Sequence, residues 1–542
     1  MKRVLVIGGY GGFGARISRR LARAGHEVLV AGRDSARATA FCAGKPGLVP
    51  VPLDREEGLE AALSRHRPFA VVDASGPFQD ATYRLPRACI AAGCHYLDIA
   101  DGRDFVSGIR ILDAEARAAG VAVISGASSV PALSGAVVRA LAAGVDEVRA
   151  VEMAISASSR ATVGPSVARA ILSYVGKPIR LWRDGRWIDG HGWQDMRVER
   201  FVLEGVDQLG SRLVALADVP DLELLPARLP GRPAVVFRAG AELALPNLGL
   251  WLLSWLVRGR LLNSLATFSK VLIRLQAATA NWGGSSSGMI VRLFGVAGGR
   301  RFERRWTLVA ADGDGPEIPA LAVPILIDAL AAGSMPPGAR DAGESLDLAD
   351  FAPAFAEHSI RSEIAEFEAL PALYARVMGE RYDGLPSAVR QMHDVLRDAG
   401  ASGRATVVRG RGPIARLIAL LFRFPREGEC EVHVSFRETD GVETWTRDFG
   451  GRSFASRLSQ AGKHLVERFG PFRFVFELPS DGNGLAMRMV GWRCGPVPLP
   501  LQLAPRSPAR EWEEDGRFSF DVPIEMPLVG AIVHYRGWLR PT

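Results

Sequence analysis

Apolar residues along the first 135 positions fall in short runs, at 4–7, 26–31, 48–53, 69–73, 95–98 and 121–125. Runs of this length, rich in aliphatic and β-branched residues, are what strands buried on both faces require. Between them the apolar period lengthens to three or four. Residues 15–24 set Ile17 and Leu21 one turn apart before Gly25, and 57–66, 83–92 and 110–119 read as further helices. Strands alternating with helices predict an α/β, Rossmann-type parallel sheet covered on both faces. Its ligand is expected at the carboxyl ends of the strands.

The pattern changes further on. Residues 136–365 mix strands and helices, with a strand at 148–155, an apolar run at 306–311 and a helix at 318–330 that Gly333 ends. A boundary falls near 360–372, and 373–378 and 387–397 read as helices. Past Gly400 the period is two. Cys430, Val432, Val434 and Phe436 alternate with Glu431, His433, Ser435 and Arg437, and the stretches around Phe474 and Phe520 do the same. Half-buried antiparallel strands have this pattern, so 371–540 is predicted to be a mainly antiparallel β domain, either a barrel or a strongly curved sheet.

The chemistry starts where the first strand ends. Gly8, Gly9, Tyr10, Gly11, Gly12, Phe13 and Gly14 contain a Gly-x-Gly-x-x-Gly turn between a strand and a helix. There each glycine has a task. One permits the tight turn, one lets backbone approach a pyrophosphate, and one lets the helix pack on the strand. The pyrophosphate then meets the free N–H groups of the helix start. At the end of the second strand stand Gly32, Arg33 and Asp34, where an NAD site places an acid against the ribose hydroxyl. Arg33 suits the 2′-phosphate of NADP(H), although Asp34 beside it would repel that group. The other strand ends bring Asp54, Ser75, Gly76 and Pro77 as further cofactor contacts, then Phe78 and the loop from Asp98 to Asp101.

Composition narrows the classes. With 48% hydrophobic and 23% charged residues in 542 positions, the chain is neither disordered nor collagen-like. A net charge of +7 raises nucleic acid as a partner, but only five of the 66 basic residues are lysine and the arginines are scattered. No nucleic-acid partner is expected from such a surface. Cys42, Cys89, Cys94, Cys430 and Cys494 show no CxxC spacing, so neither a disulfide framework nor a metal is expected. A reduced, cytoplasmic setting suits them. The first apolar run is too short for a signal peptide, and no uninterrupted run reaches the roughly 20 residues of a membrane span.

Residues 1–135 resemble the NADP-binding domain of the saccharopine dehydrogenase-like oxidoreductases. The resemblance rests on the glycine turn, Ala31-Gly32-Arg33, the stretch from Val72 through Ser75, Gly76, Pro77 and Phe78, and Cys94-His95-Tyr96-Leu97-Asp98. It implies that these loops border the nicotinamide end of the cofactor, and that 136–365 form an α+β substrate and dimerisation domain returning to close the cleft. Where the family often carries an acid after the sixth strand, this chain has Gly126-Ala127-Ser128-Ser129-Val130-Pro131, which points away from saccharopine itself. Residues 371–540 resemble a domain family of unknown function found fused behind such reductases. Glu467-Arg468-Phe469-Gly470-Pro471 and His534-Tyr535-Arg536-Gly537-Trp538-Leu539 are among the matching pieces.

The expected activity is therefore NADP(H)-dependent oxidoreduction, with hydride exchanged between the nicotinamide and a carbon held over the loop at Gly76. Tyr96, Asp98 and Asp101 are the candidates for handling the accompanying proton. The substrate is expected to be lipid-like or amino-acid-derived, since trans-acting enoyl reductases of lipid synthesis also resemble the N-terminal half. The alternative is a non-catalytic NADP-binding scaffold at a membrane surface. Residues 243–302 bear on this choice, for they hold no Asp or Glu but include Arg258, Arg260, Lys270 and Arg274. Trp251 and Trp255 precede an apolar stripe through Leu265, Phe268, Leu272 and Leu275. Three roles stay open for it: a buried helix pair or homodimer face, a peripheral contact with anionic lipid at the inner face of the membrane, or the wall of a lipid pocket.

Overall fold

The computed structural model describes residues 1–542 except 56, 162–163 and 206–208. The chain opens with β1 (Arg3–Ile7), α1 (Gly12–Arg23), β2 (Glu27–Gly32), α2 (Ser35–Cys42), β3 (Leu48–Pro52) and α3 (Leu59–His66). Then come β4 (Ala70–Asp73), α4 (Arg84–Ala91), β5 (His95–Asp98), α5 (Arg103–Gly108), α6 (Asp113–Ala118) and β6 (Ala122–Ser125). The strands lie parallel in the order β3-β2-β1-β4-β5-β6, and a seventh, Gly338–Asp341, joins the edge beside β6. This is the Rossmann-type sheet that the apolar runs predict.

Two details depart from the reading of the pattern. Helix α2 follows β2 directly, because Asp34 caps it by accepting from the Arg37 N–H at 3.0 Å. Only Ala38 and Cys42 of this helix are buried, so its apolar period is faint. The helix expected at 110–119 is instead broken, with α5 starting at Arg103 and a 3-10 turn, Ile109–Leu112, before α6.

The middle of the chain follows as α7 (Ser134–Ala142), β7 (Glu147–Ala157), α8 (Pro165–Tyr174), the hairpin β8 (Pro178–Arg183) and β9 (Arg186–His191), β10 (Arg197–Arg200) and β11 (Ser211–Leu216). It continues with α9 (Asp221–Arg228), β12 (Ala234–Ala241), α10 (Ala244–Arg258), α11 (Ser269–Thr279), β13 (Ser287–Ala297) and β14 (Arg300–Ala310). Last are α12 (Ala322–Ala331), the returning strand β15 (Gly338–Asp341), α13 (Ala352–Ala356) and β16 (Ile360–Glu368). A second, mixed sheet has the order β10-β11-β12-β7-β13-β14-β16. Val4 and Val6 of the first sheet, Val137 of α7, Leu326 of α12, and Met153 and Trp306 of the second sheet belong to one continuous core.

The rest begins with α14 (Leu373–Met378), α15 (Ser387–His393), β17 (Asp398–Arg409), α16 (Pro413–Leu421), β18 (Gly428–Thr439), β19 (Val442–Phe449) and β20 (Arg452–Ala461). It ends with β21 (His464–Phe469), β22 (Phe472–Glu477), β23 (Gly484–Ala486), β24 (Arg488–Cys494), β25 (Val497–Pro498), β26 (Arg510–Glu514), β27 (Arg517–Met526) and β28 (Gly530–Pro541). These strands form one twelve-stranded antiparallel sheet with its own core. A charged seam joins it to the middle sheet. Arg397 donates twice to Glu152, at 2.9 and 2.8 Å, and Arg183 pairs with Asp398 at 2.9 Å. Burial alone would raise the Glu152 carboxyl, but Arg397, with Arg238 and Arg197, overcomes this and brings it down to about 2. Among the described residues no helix is long and apolar enough to cross a membrane.

Candidate functional site

Sterics dictate the glycine turn. Gly8 has φ +74°, and a Cβ on Gly14 would stand 2.1 Å from the Gly8 carbonyl oxygen. Either position would fail with any other residue. Gly12 differs, since a Cβ there would meet nothing within 4 Å among the described residues. The space before it is open, on the side where α1 begins. Among the described residues no side chain caps α1, and its first turn holds no acid. The N–H groups of Gly12, Phe13 and Gly14 are therefore available to an anion. That is the fit a dinucleotide pyrophosphate requires.

The end of β2 extends this pocket. The Tyr10 hydroxyl accepts from the Asp34 N–H at 3.0 Å, and its ring packs so closely on Gly32 that a Cβ there would meet it at 2.4 Å. Arg33 is exposed with no partner among the described residues. Asp34 spends a carboxylate oxygen on capping α2, which bears on the repulsion expected beside a phosphate. Arg37, which the sequence reading passed over, lies over the Tyr10 ring at 5.2 Å. Its signal was its place one turn past Arg33 behind a capping Asp.

At the ends of β3 and β4 a small polar network holds the loops. Asp73 Oδ1 accepts from the Ser75 N–H at 2.9 Å and from its hydroxyl at 2.5 Å. Arg55 donates to Ser75 Oγ at 3.0 Å and reaches Asp73 at 3.5 Å. Asp54 sits beside Arg55, half-buried. Gly76 and Pro77 carry the chain over to Phe78, whose buried ring packs on Phe105 with centroids 5.5 Å apart. A Cβ on Gly102 would stand 2.8 Å from the Phe78 carbonyl oxygen, so this loop and the one after β5 touch.

The three proton-handling candidates have different fates. Tyr96 is 0% exposed and packs among Leu5, Ile7, Cys89 and Val123 between sheet and helices, away from solvent. Asp98 is equally buried. Its Oδ1 accepts from the Ala100 N–H at 2.9 Å, the Ser125 hydroxyl at 3.0 Å and the Gly126 N–H at 2.7 Å, tying the ends of β5 and β6 together. Burial raises its carboxyl to about 7 against these three hydrogen bonds. Asp101 stands half-buried at the loop surface, accepting from the Gln79 amide at 3.1 Å, and burial raises its carboxyl too. Of the three, Asp101 alone combines a raised pKa with access.

The middle domain supplies a facing wall. Arg103 donates to the Arg180 carbonyl at 2.7 Å and pairs with Glu223 at 2.6 Å and Asp218 at 3.4 Å, tying α5 to β8 and α9. Burial, and then the charges of Asp101 and Asp218, raise the pKa of Tyr174 at the end of α8. Along the second and third turns of α1, Arg16 and Arg20 pair with Glu317 at 2.7 and 2.9 Å. Glu317 lies in the 3-10 turn Gly315–Ala320, whose Gly315 packs against Ser287, and Ser287 Oγ accepts from the Ser158 N–H at 3.0 Å. So the far end of β7 comes round towards α1. There Ser156, Ser158 and Ser159 are buried, and their hydroxyls have no partner among the described residues. Buried hydroxyls left unpaired are costly unless something bonds them. The sequence reading missed these serines, whose only signal is a Ser-Ala-Ser-Ser run closing a strand. Among the described residues no group of three or more His, Cys, Asp or Glu is placed to hold a metal ion.

A glycine turn, an uncapped helix start and converging strand ends define the class: a Rossmann-type nucleotide-binding site. Residues 4–124 match the family model of the saccharopine dehydrogenase NADP binding domain, and 385–539 match a domain of unknown function, DUF4166. The N-terminal part is thus a nucleotide-cofactor domain of an oxidoreductase kind. No curated protein matches the chain. Among solved structures, saccharopine dehydrogenase (L-Glu forming) from Saccharomyces cerevisiae is 13% identical over 67% of this chain and 100% of that one, with a TM-score of 0.47. Amine dehydrogenase from Mycobacterium smegmatis is 11% identical over 62% and 94%, with a TM-score of 0.33. The enzyme WbmG from Bordetella bronchiseptica, solved with NAD, is 21% identical over 18% and 36%, with a TM-score of 0.16.

Proposed function

We propose that the chain is an NADP(H)-dependent oxidoreductase with its substrate cleft between the strand ends of the first sheet and the serine end of β7. The observation that carries this is the open, uncapped start of α1 at Gly12, with Arg33 exposed and without a partner among the described residues one strand away. When bound, the dinucleotide supplies the hydride chemistry. The chain's residues bind and orient. The turn from Gly8 to Gly14 holds the pyrophosphate, Arg33 and Arg37 hold the 2′-phosphate, and Asp54 with the Ser75–Pro77 loop borders the remainder. Asp101, half-buried beside Gln79, holds or releases the proton. Asp98 fixes the loops, and Tyr96 takes no part. Ser156, Ser158 and Ser159 offer hydroxyls to a polar group of the substrate.

A lipid-like substrate is favoured over an amino-acid-derived one by the apolar helices beside this wall. Leu245, Leu248, Leu252 and Trp255 form an exposed stripe on α10, and Phe268, Val271 and Leu275 are exposed around α11. The same stripe, flanked by Arg260, Lys270 and Arg274, supports peripheral contact with an anionic membrane, with a homodimer face as the other occupant. It is also the observation that favours the non-catalytic scaffold. Calorimetry with NADPH and NADH, followed by NADPH oxidation with long-chain enoyl and imine substrates, tests the proposal. Asp101→Asn should slow turnover and leave NADPH affinity intact. Tight NADPH binding without turnover of any substrate would leave the scaffold reading in its place.

A further inference from the structure

The antiparallel sheet curls until its strands β18–β22, β24 and β26–β28 all turn side chains into one space. The cavity measures about 380 Å³ and opens to solvent at one side. Ligand sites generally fall between about 300 and 1,000 Å³. A protein interior normally closes such a space, because a void weakens the fold in proportion to its volume. Here the walls are phenylalanine and methionine from many strands, including Phe436, Phe449, Phe476, Phe518, Met487 and Met489.

The two ends of this cup differ. At the deep end Tyr374 stacks on His393 with centroids 3.6 Å apart, and His393 bonds Glu511 at 2.7 Å. Midway along the wall Arg447 lies over the Trp445 ring at 5.1 Å and the Phe454 ring at 5.7 Å, donates to Ser456 Oγ at 2.9 Å and stands 3.7 Å from Glu467. That ion pair is too long for a tight hydrogen bond, so guanidinium N–H groups remain for another acceptor. At the open end the lining is half-exposed aromatic, with Phe422, Phe469, Phe472, Phe474 and Trp492. Helix α16 crosses there. It turns Ile418 and Phe422 into the cup, and Ile414, Leu417, Leu420 and Leu421 to solvent. A mouth apolar on both sides eases entry of a long chain.

We propose that this domain binds a single long-chain amphiphile, its chain along the aromatic walls and its oxygen-bearing head at Arg447. The inference rests on the cup alone and stands apart from the reading of the cofactor cleft. Full-length protein titrated with octadecanoic acid should show saturable binding of one molecule per chain. Octadecane should bind at least about tenfold more weakly, since it has nothing to offer Arg447. Met489→Trp, which fills the cup, should weaken the acid by about tenfold or more and leave NADPH affinity unchanged. If that variant misfolds, Val522→Trp serves the same purpose. As a measurement without a cavity-filling change, 9,10-dibromo-octadecanoic acid should quench tryptophan emission, and Trp492→Phe should remove part of the quenching. Absence of saturable binding overturns the proposal. So does equal affinity for octadecane, or binding that a folded cavity-filling variant leaves untouched.

Discussion

The first and third sheets offer ligands different things. The parallel sheet offers its ends. Its faces are covered by helices, and the loops past Ile7, Gly32, Pro52, Asp73 and Asp98 present backbone N–H groups, arginines and carboxylates. The antiparallel sheet offers a face. Its concave side presents rings and thioethers, with charge confined among its lining to Arg447, Glu467 and Glu511. In a parallel sheet function concentrates where strands stop, and a change of one residue in a loop is felt. In a curled sheet it is spread over nine strands, and shape matters more than any single group.

Four changes would break or sharpen this contrast. The largest effect should come from Gly14→Val. With only 2.1 Å between the new Cβ and the Gly8 oxygen, NADPH binding should vanish in calorimetry while octadecanoic acid still binds the cup. Gly12→Val is its control, because the free chain has room for it. Melting should be unchanged, and loss of NADPH affinity would then report what occupies the space.

Next in size is the seam between the sheets. Glu152→Gln removes the charge paired with the largely buried Arg397, which Glu438 and Glu303 offset only in part, and breaking a fully buried pair costs at most about 3–5 kcal/mol. Thermal unfolding should fall sharply, and a melt within experimental error of the parent would show that the domains do not depend on the seam. Third, Arg33→Ala should erase most of a preference for NADPH over NADH of about tenfold, or about 1.4 kcal/mol. Arg37→Ala should remove part of what remains. Equal affinity of the unmodified protein for both cofactors would contradict this.

The smallest signal is a proton count. Asp98 is raised from 3.8 to about 7, so the folded chain holds more protons than the unfolded chain between those values. Stability from this group is present at low pH and lost as pH rises through about 7. Buried Asp221, also raised to about 7, acts in the same direction. Asp98→Asn should flatten the fall in melting temperature across that window, and an unchanged slope would assign the proton elsewhere.

Much of this contrast was legible beforehand, for reasons that differ along the chain. The glycine turn could be read because its constraint is local: Gly8 and Gly14 meet within seven residues. The strand ends could be read because the apolar runs stop there. The Arg55–Asp73–Ser75 network and the Ser156–Ser159 wall could not, because each depends on which strands lie side by side. Alternation past Gly400 foretold a two-sided sheet. Whether its walls meet or leave a cavity depends on summed curvature, which no short window of residues encodes. Asp98 and Tyr96 show the limit from the other side, since position at a strand end says nothing of depth.

The strand β15 carries a consequence for how the protein is made. It pairs in parallel with β6 through Gly338↔Ala122 and Asp341↔Ser125, more than two hundred residues after its partner. On the ribosome, at about 5–20 residues per second, the edge of β6 must wait roughly 10–40 s for it. For that time a hydrophobic strand has an unpaired row of backbone groups, the template on which nascent chains join one another. Slowing translation between the codons for Ser125 and Gly338 should therefore lower the yield of soluble protein more than the same delay placed after Asp341.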